Sequence, residues 1–130
     1  MSEIGIDELS RRLEELTVID VRAPAEYDGS SGAPCDPRQG HIPGAVHLHL
    51  EEMLVLGDPE LRGRLGLLGL TEGAEVVAYC HSGARSGLAV QILSRLGYDA
   101  RNYSGSWHEW SRAELPAERG GEPESPSGSR

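Results

Sequence analysis

The chain has 130 residues, of which 38% are hydrophobic and 25% charged, a composition typical of one globular domain. Its formal net charge of −9 argues against general nucleic-acid binding, which requires a basic surface. All 12 basic residues are arginine, which excludes a lysine Schiff base and a lysine-bearing phosphate loop.

Neither a membrane span nor a secretory signal is visible in the sequence. No run approaches ~18 apolar residues, and residues 1–4 lack a basic region followed by an apolar block. We therefore expect a cytoplasmic protein that does not contact a membrane.

The first third of the chain predicts a helix, a strand and a long loop. Residues 6–16 predict an amphipathic helix, with apolar residues on one stripe and charged residues on the other. Residues 18–21 predict a short strand, and Pro24 starts a turn or short helix. Residues 28–40 are rich in Gly, Ser and Pro, and an irregular loop of this length often forms the rim of a functional site. The apolar stripe of the helix consists of Ile6, Leu9, Leu13 and Leu16.

The middle of the chain predicts a strand followed by two short helices. Residues 45–50 indicate the strand, and residues 51–56 and 59–68 the helices. Asp58 is the expected N-cap of the second helix, with Pro59 in its first turn.

A buried strand at residues 76–79 leads directly into Cys80 and a tight loop. From Arg85 the pattern becomes helical and stops at Gly97, a typical residue just after a helix. The expected core face of this helix consists of Leu88, Ala89, Ile92, Leu93 and Leu96.

The last elements are a strand at residues 100–103 and a short helix at residues 107–113. Strands that alternate with helices predict a single α/β domain, residues 1–115, whose central, mostly parallel sheet is flanked by helices. Residues 116–130, rich in Gly, Pro, Ser and Glu, predict a disordered tail.

Cys80 stands where a buried strand ends and a helix begins, and Asp20 also falls at the carboxyl end of its strand, where ligands bind in such sheets. Free backbone N–H groups and the helix dipole favour an anion there, so the thiol should ionise readily. Arg85 adds a forked cation suited to an oxyanion. The pattern indicates a nucleophilic sulfur that acts on, or carries, an anionic group.

Four motifs in this order resemble the rhodanese-like sulfurtransferases over roughly residues 4–113, most of all the catalytic C-terminal half of two-domain thiosulfate and 3-mercaptopyruvate sulfurtransferases. The motifs are Asp20-Val21-Arg22, Gly40-His41-Ile42-Pro43-Gly44-Ala45, Tyr79-Cys80 with Gly83 and Arg85, and Gly105-Ser106-Trp107.

The resemblance implies a thiosulfate sulfurtransferase-type enzyme in which Cys80 carries the transferred sulfur as a persulfide. The donor would be a small anion, with thiosulfate the leading candidate, or a protein persulfide, and the acceptor cyanide or a cellular thiol. No cofactor is implied. The substrate-binding loop would consist of His81, Ser82, Gly83, Ala84, Arg85 and Ser86.

Several other residues are expected to support the site. Asp20 and Arg22 would brace its rim as an ion pair, and His41 would satisfy a backbone group in its turn. Trp107 is expected to be a core aromatic that walls the pocket. Glu26 stands where the two-domain enzymes carry an anion-binding arginine, and its charge would repel an anionic donor.

Two other readings of the loop stay open. The first is a cysteine phosphatase or arsenate reductase of related architecture. Cysteine phosphatases, however, hold phosphate in a loop one residue longer than His81–Ala84. This smaller ring suits a single sulfur atom better. The second is a non-catalytic sulfur-carrier or regulatory module.

Metal binding is not predicted. Cys35 and Cys80 lack metal-finger spacing, and His47 and His49 alternate on one strand without a compact ligand pair. A second role for Cys35, as a thiol that forms a disulfide with Cys80 under oxidation, stays open.

Overall fold

Five parallel strands form one sheet in the computed structural model, which describes residues 2–120. The strands are β1 (Ser2–Glu3), β2 (Thr17–Asp20), β3 (Val46–His47), β4 (Glu75–Tyr79) and β5 (Asp99–Asn102). Their order is β1-β5-β4-β2-β3, so β4 is the central strand. The predicted α/β domain with a mostly parallel sheet is confirmed, and every pairing in the described sheet is parallel.

Of the six helices in residues 2–120, five connect the strands and the sixth follows β5, and together they cover both faces of the sheet. They are α1 (Ile6–Arg11), α2 (Pro24–Asp28), α3 (Leu50–Val55), α4 (Asp58–Leu67), α5 (Ala84–Arg95) and α6 (Ser106–Trp110). Within residues 2–120, none of them has the length and apolar character needed to cross a bilayer.

The alternation of side chains along β4 separates two hydrophobic cores. Val76 and Ala78 face the core that contains α5 residues, whereas Val77 and Tyr79 face the core that contains Trp107. These four side chains are fully buried, as expected of a parallel strand covered on both faces. Cys80 follows this strand and lies at the carboxyl edge of the sheet.

The predicted helix at residues 6–16 is shorter than expected. α1 ends at Arg11, and Arg12 leaves helical geometry with φ −107° and ψ 18°. Its guanidinium binds the carboxylates of Glu8, Glu15 and Glu75, which ties this corner to β4. The predicted apolar stripe nevertheless packs into the hydrophobic core that contains Trp107.

The predicted strand at residues 45–50 is reduced to the two residues of β3. Its extension still pairs with β2, because Leu48 N–H donates to Asp20 O and Leu50 N–H to Val21 O. α3 begins at Leu50 and ends this pairing. The expected N-cap of α4 is also wrong, since Gly57 is the N-cap and Asp58 the first helical residue.

α5 begins and ends close to prediction, with Gly97 in the left-handed region at φ +100°. Its core face differs at Leu88, which is 40% exposed, whereas Val90 is buried. α6 starts at Ser106 and ends at Trp110, short of the predicted residue 113.

The chain continues along the domain surface beyond residue 115, where the tail was expected to begin. Pro116 O accepts a hydrogen bond from Trp110 Nε1 at 2.8 Å. His41 and Glu118 exchange two backbone hydrogen bonds, of 2.8 and 2.9 Å. Residues 121–130 lie outside the described residues, so disorder stays a prediction for them.

Candidate active site

The sulfur of Cys80 lies inside a turn formed by residues 80–86, with the cysteine only 1% exposed. Gly83 makes this turn possible, because its φ of +101° is disfavoured for other residues. A Cβ atom at Gly83 would lie 2.6 Å from the carbonyl oxygen of Ser104. The close approach of these two backbones therefore requires glycine.

Backbone amides converge on the Cys80 sulfur. The N–H of Gly83 lies 3.1 Å from it, the N–H of Ser86 3.4 Å, and the Ser86 hydroxyl oxygen 3.4 Å. Burial raises the pKa of the Cys80 thiol, but hydrogen bonds from Ser86, Gly83 and Ser82 outweigh it and leave this pKa below its ordinary value. The arrangement is a set of amide donors that stabilises a thiolate.

The Ser86 hydroxyl has a second possible acceptor in Asn102, at the end of β5. Asn102 Oδ1 lies 2.7 Å from this hydroxyl, closer than the sulfur, and Asn102 Nδ2 donates to Gly83 O at 3.2 Å. A hydroxyl carries one proton, so the two backbone N–H groups are the persistent donors to Cys80. Asn102 thus buttresses the loop, a role that our sequence analysis missed. Its only signal was a polar residue in a predicted strand.

α6 holds the backbone where the Cys80 loop begins. The Ser106 hydroxyl accepts from Cys80 N–H at 3.1 Å and donates to Tyr103 O at 2.8 Å. The N–H groups of Trp107 and His108 donate to the carbonyls of Cys80 and His81, both at 2.9 Å. Ser106 adopts φ +56°. The motif Gly105-Ser106-Trp107 contains this serine, but the sequence alone does not indicate its role.

Arg85 meets Glu26, a residue of α2, at the rim of the loop. Their side chains are 38% and 22% exposed and form two hydrogen bonds. This pairing raises the pKa of Arg85. Burial raises the pKa of Glu26, but hydrogen bonds from Arg85 and the Ala23 N–H lower it below its usual range. The guanidinium expected to bind a donor anion therefore already faces a carboxylate.

The remaining loop side chains face different surroundings. His81 Nε2 lies 2.9 Å from the buried carboxylate of Asp36. Ser82 and Ala84 are exposed and form the outer surface of the turn. The loop is therefore amide-rich inside, where Cys80 lies, and polar outside.

Asp20 and Arg22 form a fully buried ion pair, with Asp20 Oδ2 2.7 Å from Arg22 Nη2. The guanidinium lies over the rings of Trp107 and Tyr79, at 5.3 and 5.6 Å from their centroids, and donates to Gly40 O. Burial lowers the pKa of Arg22, but the pairing with Asp20 outweighs it and the net shift is upward. These contacts connect β2 to the loop after α2 and to α6.

His41 and Trp107 also contact backbone on this side of the domain. His41 Nδ1 lies 2.7 Å from Tyr27 O, and its ring stacks on that of Tyr27 at 3.9 Å. Trp107 is fully buried and donates from Nε1 to Arg38 O at 3.0 Å. Of the expected site residues, the structure thus brings Gly83 and Ser86 onto the sulfur and Arg85 and Glu26 onto the rim. Asp20, Arg22, His41 and Trp107 brace the surrounding scaffold.

Comparison with known proteins extends over nearly the whole described domain. The model of the rhodanese-like domain family matches residues 5–113. The thiosulfate sulfurtransferase of Azotobacter vinelandii is 38% identical over 105 residues, which cover 74% of this chain and 37% of that protein. The thiosulfate sulfurtransferase of Pseudomonas aeruginosa is 35% identical over the same shares. The chain thus spans little more than a third of the length of these relatives.

Two solved structures are similar to the domain. The crystal structure of a probable thiosulfate sulfurtransferase, 45% identical, matches with a TM-score of 0.78 over 89% of this chain and 47% of that chain. A human single-domain sulfurtransferase, 26% identical, matches with a TM-score of 0.65 over 88% of this chain and 99% of that chain.

Proposed function

The chain belongs to the rhodanese-like domain family, and we propose that it is a sulfurtransferase acting through a Cys80 persulfide. The observation that carries the proposal is the position of the Cys80 sulfur, 3.1 and 3.4 Å from the amides of Gly83 and Ser86. Such donors favour the thiolate, which is the nucleophilic form of cysteine.

In the first half-reaction the Cys80 thiolate attacks the outer sulfur of the donor. A new S–S bond forms on Cys80 and the S–S bond of the donor breaks, so the donor's remainder leaves with the electron pair, as sulfite when the donor is thiosulfate. The persulfide that remains carries negative charge on its terminal sulfur. The loop amides are the groups available to stabilise that charge.

In the second half-reaction a thiophilic acceptor attacks the outer sulfur. Cyanide would leave as thiocyanate and a thiol as its persulfide, and the Cys80 thiolate returns. Both half-reactions share one covalent intermediate, so ping-pong kinetics are expected.

Thiosulfate is the leading donor in the test tube, because the relatives with 35–38% identity bear the name thiosulfate sulfurtransferase. The ion pair of Arg85 with Glu26 argues that this dianion binds weakly. A persulfide on a protein or a small thiol is the alternative donor.

The ion pair of Arg85 with Glu26 also disfavours the phosphatase alternative. A phosphate would need the loop guanidinium, which Glu26 already engages through two hydrogen bonds. The shorter loop between Cys80 and Arg85 argues in the same direction. A cytoplasmic location remains a prediction.

Intact-mass analysis after treatment with thiosulfate tests the proposal. We expect a mass increase of one sulfur atom, its loss on addition of cyanide, and formation of thiocyanate. Cys80→Ala should abolish all three, while Cys35→Ala, the matched control, should retain them. An adduct that persists in Cys80→Ala, or no adduct with either thiosulfate or a small-molecule persulfide, refutes the proposed mechanism.

A further inference from the structure

Four potential metal ligands from three separate segments meet beside the Cys80 loop. Cys35 and Asp36 come from the irregular loop after α2, His81 from the Cys80 loop, and His108 from α6. Their ligand atoms all lie within 4.8 Å of one another. Tetrahedral zinc with bonds of about 2.0–2.3 Å needs ligand atoms roughly 3.3–3.8 Å apart. Small side-chain adjustments would therefore close the cluster around one ion.

Asp36 is the centre of the cluster. Its carboxylate is fully buried and lies 2.9 Å from His81 Nε2 and 3.5 Å from His108 Nδ1. The Cys35 sulfur lies 3.9 Å from the same carboxylate. A buried carboxylate requires compensating positive charge, and here it gathers the other three ligand atoms around itself.

That positive charge is currently supplied by Arg112. Its Nη1 donates to Asp36 Oδ1 at 2.8 Å and lies 3.1 Å from His108 Nδ1. A guanidinium only donates, so the Nδ1 of His108 directs its lone pair toward Arg112 Nη1, the group that an incoming ion would replace. The Arg112 side chain is 38% exposed, and its other partners within residues 2–120 are the carbonyls of Cys35 and His108. It can therefore move into solvent.

We propose that Cys35, Asp36, His81 and His108 form a Zn²⁺ site that the ion occupies by displacing Arg112. One thiolate, one carboxylate and two imidazoles are a donor set suited to zinc. On binding, the Cys35 thiol loses its proton to solvent, and His81 binds through Nε2 as the neutral tautomer that carries its proton on Nδ1. The site does not depend on the proposed sulfur transfer. A bound ion would join the loop after α2, the Cys80 loop and α6.

The test is a titration of the full chain with Zn²⁺ and Co²⁺ in a Cys80→Ser background, so that the Cys80 thiol cannot contribute. We expect one ion per chain and, with Co²⁺, a thiolate charge-transfer band that Cys35→Ser removes. Cys35→Ser and His108→Ala should each weaken Zn²⁺ binding by about tenfold or more. Arg112→Ala should strengthen it, because the competing cation is gone. His49→Ala, outside the cluster, should leave the affinity unchanged.

Three results would overturn the proposal. The first is no stoichiometric binding at micromolar Zn²⁺ in the folded Cys80→Ser protein. The second is an affinity that neither Cys35→Ser nor His108→Ala changes. The third is weaker binding in Arg112→Ala, which would make Arg112 a structural member of the cluster. Circular dichroism of each variant separates loss of binding from loss of folding.

Discussion

Arg85 Nη1 lies 3.0 Å from Glu26 Oε1, and the other prongs of the two groups lie 3.3 Å apart, although 59 positions separate these residues in the chain. The guanidinium of Arg85 in the Cys80 loop is thereby neutralised by a carboxylate of α2. Substrate preference should depend on this pair, because an incoming anion must compete with Glu26 for the guanidinium.

Glu26→Gln should improve the use of thiosulfate. The substitution removes the repulsion between the partly exposed Glu26 carboxylate and the thiosulfate anion. A repulsion of about 1 kcal/mol corresponds to a roughly fivefold increase in kcat/KM, mainly through a lower KM. Steady-state assays with thiosulfate and cyanide measure it. Glu72→Gln, on an exposed turn, is the matched control. An unchanged KM would show that the pair does not govern donor binding.

The pH dependence of Cys80 alkylation should reveal a thiol that ionises below the ordinary cysteine value. The lowered pKa means that hydrogen bonding in the folded protein favours the thiolate. The stabilisation that the Cys80 thiolate contributes is fully present above the pKa of this thiol in the unfolded chain. It is lost as the pH falls through the pKa of the thiol in the folded protein. The rate of Cys80 reaction with iodoacetamide between pH 5 and 10, in a Cys35→Ala background, would measure the ionisation of this thiol.

Ser86→Ala in the same experiment should move the midpoint upward without reaching that of a free thiol, since the amides of Gly83 and Ser86 remain. A midpoint equal to that of a free cysteine in the unmodified loop would contradict the thiolate model.

Gly83→Ala should impair both stability and activity. The new Cβ would meet the Ser104 carbonyl at 2.6 Å, and the residue would keep an unfavourable positive φ. We expect a loss of about 1–3 kcal/mol in the free energy of unfolding and at least tenfold lower sulfur transfer, because the amide of residue 83 leaves the sulfur. Urea unfolding and steady-state assays measure these effects.

Gly63→Ala is the control for that experiment, since a Cβ there meets no atom within 4 Å. This glycine lies inside α4, so alanine should stabilise the protein by about 0.5–1 kcal/mol. If both variants behave alike, the steric argument at Gly83 is wrong.

Asp20→Asn should destabilise the domain strongly. It leaves Arg22 charged and buried without its counter-ion, which typically costs about 3–5 kcal/mol. Denaturant unfolding measures the change. The exposed pair of Arg95 and Asp58, 3.8 Å apart, provides the comparison, and Arg95→Gln should leave the midpoint unchanged. A mild effect of Asp20→Asn would mean that water or another acceptor compensates Arg22.

The position of Cys80 could be derived from sequence because its signals are local. An apolar run long enough for one buried strand, a glycine in the turn and a helical repeat after Arg85 all lie within the same short segment. The order of helices and strands predicted a parallel sheet, and a parallel sheet brings the ends of β2 and β4 to one edge. The resemblance to rhodanese-like domains rested on motifs spread over the same elements.

Which side chains meet around that cysteine depends on contacts between elements that are distant in the chain. Asn102 and Ser106 reach the loop because β5 lies beside β4 and α6 follows it, and Glu26 reaches Arg85 because α2 follows β2. The meeting of Cys35, His81 and His108 around Asp36 depends on the path of an irregular loop. Hydrophobic periodicity reports which face of an element is buried, whereas contacts between distant polar groups depend on how the elements are placed in space, which no local pattern encodes.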